Sequence, residues 1–560
     1  MNDALINGVL LSDFNIEPLH GYLENNEEAP SIISTVAPFG QVIHMLLDTD
    51  NEIWSEYHDF ALVWTRPESV LNSFSRALDF HCVQIEDIFA EIDNFVSALE
   101  HIRPKVKTIL VPTWVIPTSW HGYGMIDMKK GVGIVNTLMQ MNLYLAEKID
   151  NLQNTFLLNS ERWVRVAGEG AFNPKLWYLG KIAFGNKVFK EAYRDINSAL
   201  QGIRGDTKKI IIVDLDETLW GGIVGDTGWE NLRLGGHDPI GEAYVDFQKA
   251  LQSFTNRGVL LGIVSKNEES VALEAIEKNP EMVLKIDDFS SWKINWDDKA
   301  RNIVELMDDL NLGLQSAVFI DDNPMERARV AEALPEVQVP EWPEDKMLYR
   351  QTLLSLNCFD TPMISDEDRS RMKMYQAERE RDKTKTSISS PDEWIKTLEV
   401  KVLVENLDST NIKRSVQLLN KTNQMNLSTR RMTESELLDW IKGEGRCLWT
   451  FRVSDKFGDY GLTGITSMER DGQVGKVIDF ILSCRVMGRN IEEVMLSVMT
   501  TYARSLRLSR IEAKFLSTSK NKPCHDFFMR SVFSTDKAKV MFRLDLDDEY
   551  PKPDYIKIIE

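Results

Sequence analysis

Apolar runs alternate with amphipathic helical patterns over the first part of the chain. The runs VLLSDF and KTILVPTWVIP, and the apolar stretch at 60–64, predict buried strands. The segment NTLMQMNLYLAEKIDNLQ predicts a long amphipathic helix. Because strands that alternate with helices are typical of a parallel sheet covered by helices, we predict an α/β domain over residues 1–200.

A second α/β unit is predicted over residues 205–350. It begins at KKIIIVDLDETLW and ends near the proline-containing VPEWPEDK. Its strand candidates are apolar throughout, which indicates burial on both faces, as in a parallel sheet. We therefore predict a Rossmann-like core here.

The remainder of the chain predicts a linker and a third domain. Residues 351–389 include DEDRSRMKMYQAERERDKTKTSIS, in which mixed charges leave no wide apolar face, so a solvated linker is favoured. Ser390-Pro391-Asp392-Glu393 has the pattern of a helix start. The runs CLWTFRVSD, YGLTGITSME and KVIDFILS predict strands before a helix at 491–505, so residues 390–560 are expected to form an α+β domain.

Charge and cysteine content restrict the class of protein. The 65 basic and 86 acidic residues give a net charge of −21, which disfavours a surface for nucleic acid. The five cysteines are scattered and show no CxxC spacing, so a reducing compartment is expected. The sequence shows no leader pattern and no run long enough to span a bilayer. We expect a cytoplasmic protein with neither membrane nor nucleic-acid partners.

Polar residues follow three of the buried strands of the second unit. Their side chains should meet at one crevice, because the carboxyl ends of parallel strands share an edge. Lys299 is predicted in the first turn of a following helix, within reach of the same crevice, and Lys293 is a second candidate for that role. The strand-end residues are Asp214, Asp216, Ser265, Lys266, Asn267, Asp321 and Asp322.

These residue types supply the parts of phosphoryl transfer. Asp214 can attack phosphorus as a nucleophile, and Asp216 can protonate the leaving oxygen and later activate water. Carboxylates this close to a phosphate require a hard cation, so we predict Mg²⁺ held by Asp214, Asp321, Asp322 and the carbonyl of Asp216.

The other strand-end residues and the helix lysine are predicted to bind phosphoryl oxygens. These residues are Ser265, Lys266, Asn267 and Lys299. The four ordered motifs resemble those of the haloacid dehalogenase (HAD) superfamily. The gaps between motifs leave no room for a large cap domain, and the insert GGIVGDTGWENLRLGG predicts a β-flap instead.

A wider resemblance extends over essentially the whole chain. DLDETLWGGIVGDTG, preceded by NPKLWYLGKIAF and followed by FIDDNPMER, FGDYGLTG and SCRVMGRNIEE, resembles the FkbH-like family, a HAD subgroup. The resemblance implies removal of phosphate from D-1,3-bisphosphoglycerate and loading of the glyceryl unit onto an acyl carrier protein in polyketide-type pathways. It also implies an N-terminal domain similar to SGNH hydrolases and a C-terminal domain similar to GNAT acyltransferases.

The residues qualify the implied N-terminal activity. Ser12 and Asp13 stand where the SGNH serine motif would be, whereas Asn173 and Leu176 occupy the places of its aspartate and histidine. We therefore predict a non-hydrolytic domain that docks the carrier protein or covers the HAD site.

The C-terminal resemblance rests on the loop RVMGRN between a predicted strand and helix. Arg485, Gly488, Arg489 and Asn490 are predicted to bind the phosphate of a phosphopantetheine arm, because helix amino ends and arginines attract phosphate. Cys484 precedes the loop, and we hypothesise that its thiol accepts the acyl group. An ordinary strand-to-helix turn with a buried, inert cysteine is the alternative.

The sequence therefore predicts a three-domain Mg²⁺-dependent phosphatase and glyceryltransferase. One alternative is a simpler Mg²⁺ phosphatase for another phosphorylated small molecule. A second is a related transferase with a different acyl unit. A third is a non-catalytic docking platform, against which the complete set of HAD motifs argues.

Overall fold

The computed structural model describes residues 5–25, 30–117, 121–364, 395–518, 520–546 and 550–559. Contacts between Cα atoms divide the chain into two compact units, Met1–Gln201 and Gly202–Glu560. The predicted linker from residue 366 and the helix start at 390–393 lie outside the described residues. Within the described residues, no helix is both long and apolar enough to cross a membrane.

The first unit is built on a five-stranded parallel sheet in the order β2-β1-β3-β4-β5. Every residue of β3 is buried, because helices cover both faces of the sheet. The predicted α/β class is confirmed for this unit, whereas its likeness to SGNH hydrolases stays a prediction. The strands are β1 Ile6–Ser12, β2 Ile32–Val36, β3 Phe60–Trp64, β4 Ile109–Pro112 and β5 Thr155–Leu158. The helices are α1 Glu17–Glu24, α2 Val42–Leu47, α3 Pro67–Val70, α4 Asn72–Leu78, α5 Ile85–Ile102, α6 Ile134–Asp150, α7 Ser160–Ala167, α8 Pro174–Gly180 and α9 Asn186–Arg204, which runs into the second unit.

The second unit begins with a four-stranded parallel sheet in the order β8-β7-β6-β9. Its core extends past the predicted boundary at 350, because Tyr349, Leu353 and Phe359 pack into it. The strands are β6 Ile210–Val213, β7 Leu260–Ser265, β8 Ser291–Ile294 and β9 Ala317–Ile320. The helices are α10 Val224–Thr227, α11 Pro239–Asn256, α12 Glu269–Lys278, α13 Lys299–Asp309, α14 Pro324–Ala333 and α15 Tyr349–Leu354.

The insert after β6 is less of a β-flap than the sequence predicts. A single antiparallel pair joins Gly221 and Arg233, with N···O distances of 3.0 and 2.8 Å. Between these residues the chain forms α10 and a short 3₁₀ turn, Trp229–Asn231. The structure agrees with the prediction that the insert is too short for a separate cap domain.

The C-terminal part of the second unit is an α+β domain, as predicted. Its nine-stranded sheet is mainly antiparallel, with the parallel pairs β14–β15 and β10–β18. The strands are β10 Lys401–Asn406, β11 Met425–Asn426, β12 Arg446–Asp455, β13 Gly458–Asp471, β14 Val474–Leu482, β15 Arg510–Lys514, β16 Ser534–Thr535, β17 Met541–Asp545 and β18 Lys557–Ile559. The described helices are α16 Ile412–Lys421, α17 Glu434–Ile441, α18 Ile491–Ser505 and α19 Lys522–Arg530.

Candidate active site

Asp214 stands at the centre of the crevice at the carboxyl end of the four-stranded sheet. It follows β6 directly and is 7% exposed, and its backbone N–H donates to the carbonyl of Ile320 at 3.0 Å. Its Oδ1 atom is buried and has no hydrogen-bond partner among the described residues. Because an unpaired buried carboxylate oxygen is unfavourable, this atom is suited to meet a ligand rather than the protein.

Two more carboxylates surround Asp214. Asp321 and Asp322 follow β9, and carboxylate oxygens of the three residues lie within 4.8 Å of one another. Burial and the charge of Asp214 raise the pKa of Asp321 to about 6, and burial also raises the pKa of Asp322. Three crowded oxygen donors, one unpaired, fit a hard divalent cation such as Mg²⁺.

Lys299 already supplies one positive charge to this cluster. It is the first residue of α13 and is 3% exposed, and its Nζ lies 2.6 Å from Asp321 Oδ2 and 3.1 Å from Asp214 Oδ2. Burial disfavours the ammonium, but the two carboxylates outweigh it and raise the pKa of Lys299. The structure therefore brings Lys299 to the crevice, where its charge could also meet a phosphate.

Asp216, the predicted acid/base, is held by three donors. Its Oδ1 accepts from the Trp220 indole at 2.8 Å and from the backbone N–H of Val224 at 3.1 Å, and its Oδ2 accepts from Asn267 at 2.9 Å. Asn267 also donates to Ser265 Oγ at 3.2 Å. Burial raises the pKa of Asp216 despite these hydrogen bonds, which suits a group that must carry a proton to a leaving oxygen.

Two lysines named from the sequence lie elsewhere. Lys266 Nζ is 2.6 Å from Glu326 Oε1, and Lys293 Nζ is 2.8 Å from Asp309 Oδ2. Lys266 directly follows Ser265, the last residue of β7, and lies in a bend of the chain. Both ammonium groups are paired with helix carboxylates rather than with the crevice, so the predicted phosphate-binding role of Lys266 is corrected, and Lys293 is removed as a candidate.

Lys346, which the sequence analysis does not select, lies beside the acidic cluster. Its Nζ donates to the Glu217 carbonyl at 2.8 Å and to Tyr349 Oη at 2.9 Å, and it lies 3.6 Å from Asp322 Oδ2. Glu217 has a φ of +56°, so the chain between Asp216 and Thr218 takes the left-handed conformation. Lys346 therefore contacts both the turn at Glu217 and Asp322, one of the candidate metal ligands. A lone lysine well beyond the fourth motif carries no recognisable sequence pattern.

Cys484 lies at the opposite edge of the four-stranded parallel sheet from Asp214. It begins the 3₁₀ turn Cys484–Val486 after β14 and packs against the core cluster that contains Leu260, the first residue of β7. Asp214 follows the last residue of β6, whose four residues span roughly 13 Å at about 3.3 Å per residue. The two predicted sites of chemistry are therefore separate.

The two arginines of the predicted phosphopantetheine loop diverge. Arg485 lines a cavity with Cys484. Arg489 is 3% exposed, lies 3.5 Å from Asp455 Oδ2, and its guanidinium stacks 4.5 Å from the centre of the Tyr460 ring. A buried guanidinium already neutralised by a carboxylate is poorly placed to bind phosphate, so we assign Arg489 a role in holding the loop.

The rest of this loop also differs from the predicted anion site. The Gly488 amide donates to the buried carboxylate of Glu492 at 3.3 Å, so a side chain of the protein takes the place expected for a phosphate oxygen. Asn490 adopts a φ of +59°, which asparagine tolerates better than most residues, and its amide donates to Tyr555 Oη. The asparagine at this position therefore has a structural role, because its side chain joins the loop to Tyr555.

The parallel strands next to this loop separate, and the chain itself fills the gap. β14 and β15 pair only between Val474–Val477 and Arg510–Ala513. Beyond that point residues 425–427 lie along β14, and the Leu427 amide donates to the Phe480 carbonyl at 3.1 Å. The Leu516 amide donates to the Leu427 carbonyl at 3.0 Å. An extended ligand could not use this edge of β14 without displacing that segment.

The residues compared with an SGNH triad have structural contacts. Ser12 Oγ accepts from the Phe14 amide at 3.2 Å, and Asp13 pairs with Arg66 at 2.8 Å. Asn173 caps α8 through its side-chain oxygen. These contacts give the residues structural roles, and the absence of hydrolase activity in the first domain stays a prediction.

Comparisons with known proteins agree with the phosphatase site. Neither a family model nor a curated protein matches the chain. Among solved structures, it is similar to the N-terminal part of protein BF1531 from Bacteroides fragilis, which contains a phosphatase domain and is complexed with Mg: the identity is 29%, the TM-score is 0.57, and the match covers 64% of this chain and 94% of that one.

Shorter matches reach acetyltransferases. A GNAT-family acetyltransferase from Staphylococcus aureus matches with 10% identity, a TM-score of 0.22, and coverage of 26% of this chain and 99% of that one. The ribosomal-protein-S18-alanine N-acetyltransferase from Escherichia coli matches with 6% identity, a TM-score of 0.20, and coverage of 27% and 97%. These values are too low to support a functional argument. The crevice geometry and the phosphatase-domain likeness together show that the chain is an enzyme with a phosphatase site of the HAD type.

Proposed function

We propose that this enzyme removes phosphate from a phosphorylated acyl substrate and transfers the acyl group to the phosphopantetheine thiol of an acyl carrier protein, with D-1,3-bisphosphoglycerate as donor. The observation that carries the phosphatase half is the unpaired, buried Oδ1 of Asp214 beside Asp321, Asp322 and Lys299. The acyl-transfer half rests on the resemblance of the sequence motifs to the FkbH-like family.

The phosphatase step uses two carboxyl groups of the chain. Asp214 Oδ1 attacks phosphorus, so an O–P bond forms to Asp214 while the bond from phosphorus to the substrate oxygen breaks. Asp216 gives its proton to that leaving oxygen. The resulting carboxylate of Asp216 then takes a proton from the water that attacks the aspartyl-phosphate, which returns both residues to their starting states.

Asp214, Asp321 and Asp322 would hold Mg²⁺, which when bound would neutralise charge on the phosphoryl oxygens. Lys299 would also offset charge on the phosphoryl group, because its Nζ lies 3.1 Å from Asp214 Oδ2, inside the crevice where the phosphate would bind. The three donors on Asp216 fix its orientation before substrate arrives, so little reorganisation is needed during proton transfer.

Acyl transfer would use Cys484. Its sulfur attacks the carbonyl carbon of the acyl phosphate, so a C–S bond forms, the C–O bond to phosphate breaks, and inorganic phosphate leaves while the thiol proton passes to solvent. The carrier thiol then attacks the thioester, and Cys484 leaves as the thiol. The part-buried thiol lines a cavity with residues of the HAD domain, which supports this position.

The test is intact-mass measurement of a phosphopantetheinylated carrier protein incubated with the enzyme, Mg²⁺ and enzymatically generated 1,3-bisphosphoglycerate. A glyceryl increment without phosphate is expected. With Asp214→Asn the carrier should retain the phosphorylated glyceryl unit, and with Cys484→Ala it should remain unmodified. An unmodified carrier in every reaction would reject acyl transfer.

A simpler Mg²⁺ phosphatase is the second candidate. It is favoured by the C-terminal loop, where the Gly488 amide is occupied by Glu492 and residues 425–427 fill the gap beside β14. This candidate predicts Asp214-dependent phosphate release that carrier protein neither accelerates nor redirects.

A further inference from the structure

A basic cavity lies on the far side of the HAD domain from the catalytic crevice. It is lined by residues at the amino ends of β6 and β7, by α16, and by the turn after β14, and its volume is about 80 Å³. Four basic side chains contribute to its wall, and none of the described residues that line it is acidic. The basic residues are Lys209, Arg414, Lys421 and Arg485.

We propose that this cavity is a second phosphate-binding site, which takes a single tetrahedral oxyanion. The charge argument is local: in a chain of net charge −21, four cations around one small cavity run against the overall balance. Guanidinium and ammonium groups bind phosphate oxygens through charge-assisted hydrogen bonds. The lining also includes the polar residues Gln417 and Asn423, whose side-chain oxygens accept from Arg414 and Arg431 and so hold those guanidinium groups in place.

The size of the cavity restricts the ligand. On the measure in which one water needs about 10–15 Å³, a cavity of about 80 Å³ has room for several water-sized groups. A phosphate group fits this space. The ligand is therefore inorganic phosphate or the terminal phosphate group of a larger molecule whose remainder stays outside.

The end of α16 does not by itself explain the basic residues. Helix carboxyl ends attract cations, but Arg431 already donates to the Leu419 carbonyl and lies 3.4 Å from the Thr422 carbonyl. Lys209 and Arg485 belong to other segments that converge on the same space. The convergence of separate segments indicates a binding role beyond a helix cap.

The cavity is distinct from the metal-dependent crevice. Lys209 precedes β6, whereas Asp214 follows it, so the two sites lie at opposite edges of the sheet. Phosphate bound here would need no Mg²⁺. Cys484 lines the same cavity. This assignment rests on the proposed function: the cavity would hold the phosphate that leaves when the Cys484 sulfur takes the acyl group.

The test follows alkylation of Cys484 in the full chain by iodoacetamide and peptide mass spectrometry, with EDTA present. Inorganic phosphate should slow modification of Cys484 several-fold relative to chloride at the same ionic strength. Cys82 is exposed and lies in the first unit, so its rate should not change. The double variant Lys421→Gln, Arg485→Gln should lose the protection.

Two further arms separate the possible sources and sites. Asp216→Asn, which alters the catalytic crevice but keeps the ion pairs of Lys299, should leave the protection of Cys484 intact. Glycerol 2-phosphate should protect as well if the site accepts the phosphate of a larger molecule, whereas protection by inorganic phosphate alone identifies free phosphate. Equal Cys484 rates with and without either ligand would overturn the proposal, as would protection that survives in the double variant.

A direct measurement covers the case in which Cys484 does not react. Equilibrium dialysis of radiolabelled phosphate in EDTA should show that the double variant binds about one phosphate per chain fewer than wild type; equal binding by the two chains would reject the site. Protection or binding that persists while carrier loading fails would leave the cavity in place and reject only the acyl transfer.

Discussion

Replacement of Lys299 by methionine tests the electrostatic design of the crevice. The ammonium lies between Asp214 and Asp321, and both the lysine and Asp321 are almost completely buried. Methionine preserves much of the apolar stem but leaves two buried carboxylates without their cation. Removal of one partner of a buried ion pair is expected to lower the free energy of unfolding by about 3–5 kcal/mol.

The matched control is Lys293→Met. Lys293 lies on β8 in the same domain, but its partner Asp309 is 53% exposed, so the pair contributes about 0–1 kcal/mol. Each kcal/mol shifts the melting temperature by about 2–4 °C for domains of roughly 150–250 residues. Lys299→Met should therefore lower Tm by roughly 6–20 °C, and Lys293→Met by no more than about 4 °C.

Magnesium and pH give two internal checks on Lys299→Met. A bound cation stabilises the folded state by about 2.7 kcal/mol at 100 times its Kd, so Mg²⁺ should recover much of the loss. The pKa of Asp321 is already about 6, above its unfolded value of 3.8, because of burial and Asp214, and loss of Lys299 raises it further. A carboxyl with a raised folded pKa gains stability as pH falls, so the deficit should be smaller near pH 5.5 than near pH 8.

The assays are thermal unfolding, which gives Tm, and urea unfolding, which gives the free energy of unfolding, for wild type and both variants, with and without Mg²⁺, at the two pH values. Equal losses for Lys299→Met and Lys293→Met would refute the argument that burial makes the first pair important. If neither Mg²⁺ nor acid reduces the loss of unfolding free energy in Lys299→Met, this loss arises from packing rather than from unpaired carboxylates.

Three further predictions concern single contacts. Trp220→Phe removes a hydrogen bond of about 1.5–3 kcal/mol that stabilises the ionised carboxylate of Asp216. The pKa of Asp216 should rise, so the basic limb of the pH profile of kcat/KM should move up by about 1–2 pH units. A basic limb that does not move would contradict the role of Asp216 as the acid. Lys346→Met removes a cation 3.6 Å from Asp322, so the Mg²⁺ concentration for half-maximal activity should fall several-fold while kcat drops. Lys346→Arg should restore both values. An unchanged Mg²⁺ concentration for half-maximal activity would reject an electrostatic role of Lys346 at the metal site. Burial lowers the pKa of Lys208 in the folded protein to about 8, below its unfolded value. The free energy of unfolding of wild type, relative to that of Lys208→Met, should therefore rise by about 2 kcal/mol between about pH 7 and about pH 9.5. Urea unfolding that shows no such rise would indicate that the Lys208 ammonium is in solvent.

The crevice was predictable because its parts are local in sequence. Each of β6, β7 and β9 is an apolar run whose end is marked by polar residues, and parallel pairing brings those ends together. Asp214, Asp321 and Lys299 converge as the sequence predicts. The helix at residues 491–505 and the three strands before it were readable for the same reason.

What the sequence could not supply were contacts set by side-chain direction and by distant segments. Lys266 lies one position past the end of β7, in a bend, and its ammonium pairs with Glu326 rather than with the crevice. Lys346 reaches Asp322 only because α15 and the chain before it pack on the domain. Residues 425–427 fill the gap beside β14, although they lie far from β14 in the sequence. No periodic pattern of apolar residues predicts this placement.

The separation of Asp214 from Cys484 restricts any mechanism that uses both. A compact three-carbon substrate cannot touch the two sites at once across a sheet whose strands span roughly 13 Å. Acyl transfer and phosphate removal would therefore occur in sequence, and the acyl unit would reach Asp214 only when released from Cys484 or carried on a flexible arm. Because a carrier protein supplies such an arm, dephosphorylation that requires a loaded carrier would follow directly from this geometry, whereas dephosphorylation of the free substrate would place phosphate removal before acyl transfer.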